Sequence, residues 1–148
     1  MRNVSRQAIV IAAGIVGMAQ LASGQGMTPE EREAYTQRVL EAPNPLEPSD
    51  SVWIEELTYM EVRDRIAGGA TTAIVATGGI EQNGPYLTTG KHNVILQAIC
   101  PAIAAELGNA LCAPIVRFVP EGDLDPPSGH MRFPGTFGVR DATYEALL

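Results

Sequence analysis

Two polar loops carry the side chains whose types could do chemistry. The first loop, residues 78–92, reads GGIEQNGPYLTTGKH and holds Glu81, Asn83 and His92. The second loop, residues 120–134, holds His130, the other histidine of the chain. Imidazole and carboxylate groups bind cations or transfer protons, but in loops they are also commonly solvated. Asn83 followed by glycine is in addition a turn signal.

The pattern of elements around these loops predicts how they are positioned. Residues 71–77 and 111–119 are apolar, β-branched runs typical of buried strands, with a helix at 93–107 between them. Pro101 inside that helix predicts a kink or a late restart. A strand–helix–strand order favours an α/β fold with a mainly parallel sheet covered by helices. Because ligands bind at the carboxyl ends of parallel strands, we expect both loops to face one crevice.

Helix signals before and after this unit complete the organisation. Thr28 and Thr58 each open a capping box, which predicts one helix to about Glu41 and another that stops at Gly68-Gly69. A short extended piece is expected at 53–57, and Asp141 is expected to cap a last helix. The predicted segments are a signal peptide at 1–24, a leading helix with a Pro-rich linker at 25–50, and part of an α/β domain at 51–148. With two strands and a helix that is still apolar at its last residue, we expect the front portion of a larger domain.

The first residues have the pattern of an export signal. Arg2 and Arg6 precede an uncharged apolar run, Ala8–Leu21, which is short for a membrane span. Small residues follow, and Gly24 stands before the expected cleavage point. The sequence therefore predicts a periplasmic or secreted protein without a stable membrane anchor after cleavage, the alternative being an uncleaved anchor.

Composition limits the remaining classes. The 148 residues carry a net charge of −7, which disfavours binding to nucleic acid, a polyanion. The acidic run with Glu121, Asp123 and Asp125 could offer oxygen ligands, although such runs are more often solvated, and we interpret it so. Cys100 and Cys112 could form a disulfide in an oxidising compartment, but their apolar surroundings favour two buried free thiols.

Three stretches resemble the signature boxes of the creatininase (creatinine amidohydrolase) family. The first loop is similar to a Glu-Gln-His-Gly-Pro-His-Leu-Pro stretch that ends in an Asp. Residues 56–59, ELTY, look like a Glu-Leu-Thr-Trp box, and His130 with Phe133–Thr136 looks like a His-x-x-Phe-Pro-Gly-Thr box. The matches follow the family order and cover residues 53–148. The resemblance implies a three-layer α/β/α fold, of which this chain would be the N-terminal portion.

The resemblance also implies a metal site on the first loop. In family members two divalent ions are held by this box and by later His and Glu residues, and a metal-bound water attacks an amide carbonyl. Glu81 stands at the first ligand position, Asn83 replaces a metal-binding His, and His92 replaces the bridging Asp. Since one imidazole nitrogen cannot bridge two ions, we expect one Zn²⁺ or Mn²⁺, held by Glu81, His92 and Asn83. His130 is expected to be the catalytic acid or base, with roles as a ligand or substrate contact also open.

Two functions are consistent with this interpretation. The leading one is an exported metal-dependent amidohydrolase that acts on a small-molecule amide. The alternative is a catalytically inactive periplasmic protein of the same fold that binds a small molecule or serves as a scaffold, which the exchanges at Asn83 and His92 motivate. The family's later Asn-Gly-His box would follow the helix at Asp141, so we expect this chain alone to be incomplete. The expected partner is the small-molecule amide; family members are commonly homo-oligomers, but the sequence leaves the oligomeric state open.

Overall fold

The computed structural model describes residues 26–148. The predicted signal peptide at 1–24 therefore lies outside the described residues and stays a prediction. No helix within the described range is both long and apolar enough to cross a bilayer. The chain divides between Pro43 and Asn44 into two units, which are described separately.

Helix α1 (Pro29–Glu41) is the described element of the first unit. It begins where the sequence predicts, because both hydrogen bonds of the capping box are present. The Glu31 N–H donates to Thr28 Oγ1 at 3.3 Å, and the Thr28 N–H donates to the Glu31 carboxylate at 2.9 Å. The predicted leading helix is confirmed, and it ends ahead of the proline-rich stretch.

The second unit combines helices with a parallel sheet, as the α/β prediction requires. Its elements are a 3₁₀ turn (Ile54–Glu56), α2 (Tyr59–Ala67), β1 (Thr72–Ile74), α3 (Lys91–Leu107), β2 (Ala110–Cys112), a 3₁₀ turn (Gly129–Arg132) and α4 (Asp141–Leu147). The extended piece expected at 53–57 is therefore mostly a 3₁₀ turn. Asp141 is the first residue of α4, and Arg140 takes the cap position instead.

The sheet of the described residues pairs β1 with β2 in parallel, and Ile74 is aligned with Cys112. Both strands are shorter than predicted, although a further bridge joins Thr77 to Val116 beyond them. Strand β2 is buried throughout, and Trp53 bridges its other side. Strand β1 has Thr72 and Ala73 exposed, so the prediction that it is a buried strand is wrong: it lies at the edge of this sheet.

Helix α2 is anchored at its start by a buried carboxylate. The carboxylate of Glu61 accepts hydrogen bonds from the Thr58 N–H and Oγ1, both at 2.8 Å, and from the Ser49 N–H at 3.2 Å. The bonds from Thr58, with a smaller contribution from Ser49 and from the charge of Arg65, outweigh the effect of burial and lower the pKa of Glu61. The guanidinium of Arg65 also donates to the Ser49 carbonyl, which ties α2 to the segment before it.

Helix α3 packs against β2 through small residues and a disulfide. It runs without interruption through Pro101, so the predicted late restart is wrong, and it ends at Gly108 in the left-handed conformation (φ +72°) as predicted. Cys100 on α3 is bonded to Cys112 on β2, and both residues are at most 1% exposed. The prediction of buried cysteines is confirmed, but the interpretation as free thiols is wrong. The parallel strands bring the end of β2 under the middle of α3, an alignment that spacing alone does not reveal.

Candidate functional site

Two loops leave the carboxyl ends of β1 and β2 and lie side by side. We call residues 75–90 the first site loop and residues 113–140 the second site loop. Backbone bonds extend the strand pairing into both: Val116 N–H donates to the Ala76 carbonyl and Gly78 N–H donates to the Val116 carbonyl, each at 2.9 Å. The loops therefore meet at one edge of the sheet, as the predicted topology requires.

The Phe-Pro-Gly-Thr stretch holds the backbone on both sides of Glu81. The N–H of Phe137, directly after this stretch, donates to the Ile80 carbonyl at 2.8 Å. The Gln82 N–H donates to Thr136 Oγ1 at 3.2 Å. Because the residues before and after Glu81 are both bonded to the second site loop, the direction of the Glu81 side chain is set by contacts between the loops.

Asn93 fixes the first site loop to the start of α3. Its Nδ2 donates to the Gly79 carbonyl at 3.0 Å, and the Gly79 N–H donates back to Asn93 Oδ1 at 3.4 Å. Asn93 is only 8% exposed, so these bonds are shielded from water. They set the distance between Glu81, two residues after Gly79, and His92, the residue before Asn93. Sequence reasoning missed this role; the available signal was an amide in the first turn of an otherwise apolar helix.

Glu81 lies at the centre of a cluster with both histidines. Its Oε1 is 2.7 Å from His92 Nε2, and its Oε2 is 2.9 Å from His130 Nδ1. The Glu81 side chain is 16% exposed and that of His130 is 44% exposed. His130 Nδ1 is itself buried and has no aligned hydrogen bond despite its short distance from the carboxylate. Three of the four predicted site residues are therefore brought together.

Glu121 is a fourth member that sequence reasoning placed in a solvated acidic loop. Its carboxyl group is hydrogen-bonded to that of Glu81. Burial, and then the hydrogen bond to Glu81 and the charge of Glu81, raise the pKa of Glu121 to about 7. Burial by itself raises the pKa of Glu81. The hydrogen bonds with Glu121 and His92 and the charges of the two histidines lower it by more, so the pKa of Glu81 is lowered overall. Glu121 therefore keeps its proton to a higher pH than an exposed carboxyl group does, while Glu81 favours the ionised form.

Asn83 braces the first site loop from within. Its Nδ2 donates to the Glu81 carbonyl at 2.9 Å and to the Thr88 carbonyl at 3.3 Å. Gly84 follows with φ +80°, a conformation that favours glycine, so the predicted Asn-Gly turn is present. The amide nitrogen of Asn83 is occupied by the loop, and its role as a metal ligand stays a prediction.

The side chains of the cluster are of types that bind divalent ions, but they contact one another directly rather than surrounding a space for an ion. Carboxylate oxygen and imidazole nitrogen are ordinary ligands of Zn²⁺ and Mn²⁺. Within residues 26–148, no three His, Cys, Asp or Glu side chains surround a common point. Two donors on one tetrahedral Zn²⁺ lie about 3.3 Å apart, so Glu81 Oε1 and His92 Nε2, at 2.7 Å, would have to separate slightly. Glu81 and His92 supply a carboxylate oxygen and an imidazole nitrogen of the kinds such an ion takes, while His130 Nδ1 lies 2.9 Å from Glu81 Oε2 without an aligned hydrogen bond.

A cavity of about 460 Å³ lies further along the second site loop. It is lined by residues 122–125 and 140–142, with the exposed Arg140 at its edge. None of the four clustered side chains contributes to its wall, so it is separate from the candidate site.

The sequence matches a known family over most of the second unit. Residues 55–148 match the creatininase family, described as creatinine amidohydrolase. Over 95 residues the chain is 30% identical to a creatinine amidohydrolase of Pseudomonas putida, which covers 64% of this chain and 36% of that protein.

Solved creatininase structures are similar in fold. A mutant creatininase of the Zn–Zn type has a TM-score of 0.58 at 28% identity and covers 67% of this chain and 38% of its own. A manganese creatininase has a TM-score of 0.55 at 29% identity, covering 64% and 36%. A mutant creatininase complexed with creatine has a TM-score of 0.57 at 28% identity, covering 66% and 37%. The chain thus spans little more than a third of the length of these relatives.

Proposed function

Because the chain belongs to the creatininase family, we propose that it forms part of an amidohydrolase that cleaves a C–N bond of a small-molecule amide. The observation that carries this proposal is the convergence of Glu81 from the first site loop, His92 from the start of α3 and His130 from the second site loop. Two of the three resemblance boxes supply these residues, and Thr136 of the second of these two contacts the backbone next to Glu81. Creatinine is the first substrate to test, because the Pseudomonas putida relative is named for it.

A divalent ion, Zn²⁺ or Mn²⁺, is part of the proposal. The similar solved creatininases include one of the Zn–Zn type and one with manganese. A single ion is proposed here because an imidazole, His92, stands where the resemblance implies a bridging carboxylate. Glu81 and His92 would hold the ion. A bound divalent ion supplies Lewis acidity toward an amide carbonyl oxygen.

His130 is the residue proposed to move a proton. Its Nδ1 faces the cluster without an aligned hydrogen bond, so this atom is available to take a proton from water and return it to the leaving nitrogen. The Glu81 carboxylate, 2.9 Å away, balances the charge that the ring gains. The half-exposed ring also leaves a path between the cluster and solvent.

Export to the periplasm or beyond belongs to the same proposal. It is supported by the basic and apolar pattern of the first residues and by the disulfide between Cys100 and Cys112, since such bonds persist mainly in oxidising compartments. A mature protein that begins at Gln25 is the expected product.

Glu81→Ala tests the enzymatic proposal. Hydrolysis of creatinine and of a panel of small linear and cyclic amides is followed by chromatography of the products. The variant should lose at least about 100-fold in kcat/KM, while Glu145→Gln, which changes an exposed carboxylate on α4, should retain activity. If Glu81→Ala hydrolyses amides as fast as the unaltered protein, the proposal fails. If the unaltered protein turns over no amide but a small amide raises its melting temperature, the binding-protein alternative replaces it.

A further inference from the structure

The first turn of α3 brings His92 to Glu81, and a buried amide ties that turn to the first site loop. We propose that Asn93 is a positioning residue for the proposed hydrolysis, which holds the His92 ring against the Glu81 carboxylate. It does so through bonds to the backbone of Gly79, without touching the substrate. This inference rests on the proposed function, because it concerns the same pair of side chains.

The start of α3 has no side-chain cap. Gly90 stands at the cap position and offers no side chain to the free N–H groups of the first turn. The Glu81 N–H donates to the Thr89 carbonyl at 3.1 Å, which closes the first site loop ahead of the helix. The Asn93 side chain adds a tie from the first turn itself to the other end of the loop, where the chain has just left β1.

An amide is suited to this contact because it carries a donor and an acceptor side by side. The Asn93 amide pairs with both the carbonyl and the N–H of Gly79, the residue two positions before Glu81. A carboxylate would offer no donor to the Gly79 carbonyl, and an alanine side chain would offer neither partner. Because Asn93 is buried, the loss of its amide leaves these backbone groups without partners.

Gly78 provides the space that the Asn93 amide occupies. A Cβ at Gly78 would overlap Asn93 Oδ1 and lie 3.0 Å from its Cγ, so the absence of a side chain admits the amide. The Gly78 N–H also donates to the Val116 carbonyl at 2.9 Å. The segment to which Asn93 binds is therefore itself fixed to the second site loop, so the start of α3 is held against both loops.

Kinetics and crystal structures of variants of the full chain test this role. Asn93→Ala removes the amide, Gly78→Ala keeps the amide but fills its space, and a third variant combines the two changes. Gly78 does not adopt a positive φ, so alanine there acts through the contact. Asn109→Ala, which removes an exposed amide just after α3, is the matched control. Rates are measured below the melting temperature of each variant, so that folded proteins are compared.

The expected pattern separates positioning from stability. Asn93→Ala and Gly78→Ala should each lower kcat at least about tenfold and change KM less than about threefold, because a displaced His92 misaligns the reacting groups but leaves substrate contacts in place. The double variant should be no slower than the slower single variant, since both changes break one contact. The distance between Glu81 Oε1 and His92 Nε2, now 2.7 Å, should exceed about 3.5 Å in both single variants. Asn109→Ala should change none of these quantities.

Three results would overturn the inference. The first is a lower melting temperature of Asn93→Ala with an unchanged kcat, which would show that the amide only stabilises the fold. The second is a loss of kcat in the double variant equal to the product of the two single losses, which would show independent effects. The third is an unmoved His92 in the crystal structures of both single variants. If the unaltered protein hydrolyses no amide, the proposed function fails, and the crystal structures decide the inference separately: a displaced His92 supports it and an unmoved His92 overturns it.

Discussion

Reduction of the disulfide between Cys100 and Cys112 should lower the free energy of unfolding by about 3 kcal/mol. The bond closes a short loop, since the two cysteines are separated by 12 positions in the sequence. Chain-entropy arguments give about this value for a loop of that length, because the cross-link restricts the unfolded chain. Since 1.4 kcal/mol is a tenfold change in an equilibrium constant, the unfolded fraction should rise on the order of 100-fold.

The loss should be a large share of the total unfolding free energy, because the buried apolar core of the second unit is small. Among the described residues the buried apolar cluster consists of Cys100, Ala104, Ala110 and Cys112, and the disulfide is its centre. Typical domains are stable by about 5–15 kcal/mol, so a loss of about 3 kcal/mol is a substantial share. The bond also joins α3, which carries His92 in its first turn, to β2, from which the second site loop departs.

Urea denaturation of the oxidised and the reduced protein measures this contribution. The two samples have the same composition, so their difference isolates the cross-link, and a Cys100→Ala/Cys112→Ala double variant should not respond to reductant. Intact mass spectrometry of protein from the periplasm should show a chain that begins at Gln25 and contains no free thiol. Equal unfolding free energies for the two redox states, or two free thiols in the periplasmic protein, would refute the reasoning.

Two further substitutions test the contacts that position the site and α2. Asn93→Ala should cost about 1–3 kcal/mol of unfolding free energy, because it leaves the buried Gly79 carbonyl and N–H without partners. Asn109→Ala, which removes an exposed bond, should cost less than about 1 kcal/mol, and equal losses in urea denaturation would contradict this account. Glu61 has a lowered pKa when folded, so its contribution to stability is present above its ordinary value of 4.5 and is lost as the pH falls below it. Glu61→Gln should therefore flatten the decline in melting temperature below about pH 4.5, and a decline as steep as in the unaltered protein would show that the bonds from Thr58 do not matter.

Much of the fold follows from local sequence signals. The two capping boxes and Gly108 predict helix ends to within a residue or two, because they satisfy backbone groups that every helix leaves free. The parallel pairing of β1 and β2 follows from the strand–helix–strand order. The predictions that were wrong depend on tertiary contacts: the exposure of β1 depends on what lies beside it, and the disulfide depends on which turn of α3 faces β2.

The residues of the candidate site divide in the same way. Glu81, His92 and His130 could be chosen from the sequence because they stand in stretches that resemble family boxes, and the family membership is confirmed. Asn93 and Glu121 could not, because what distinguishes them is their surroundings. A carboxylate in a run such as PEGDLDPP gives no sign in the sequence of whether it faces water or another carboxyl group.

The contrast between Glu121 and its neighbour Asp123 shows what decides this. Asp123 accepts a bond from Ser128 within its own turn and stays exposed, so its environment is set locally. Glu121 lies where the second site loop passes Gly79, and the absence of a side chain there is what lets its carboxylate reach Glu81. The glycine that admits Glu121 belongs to one loop and the carboxylate to the other. Which side chains enter the cluster therefore depends on both loops together. A substitution in one loop, such as a larger residue at Gly79, should displace a side chain that the other loop contributes.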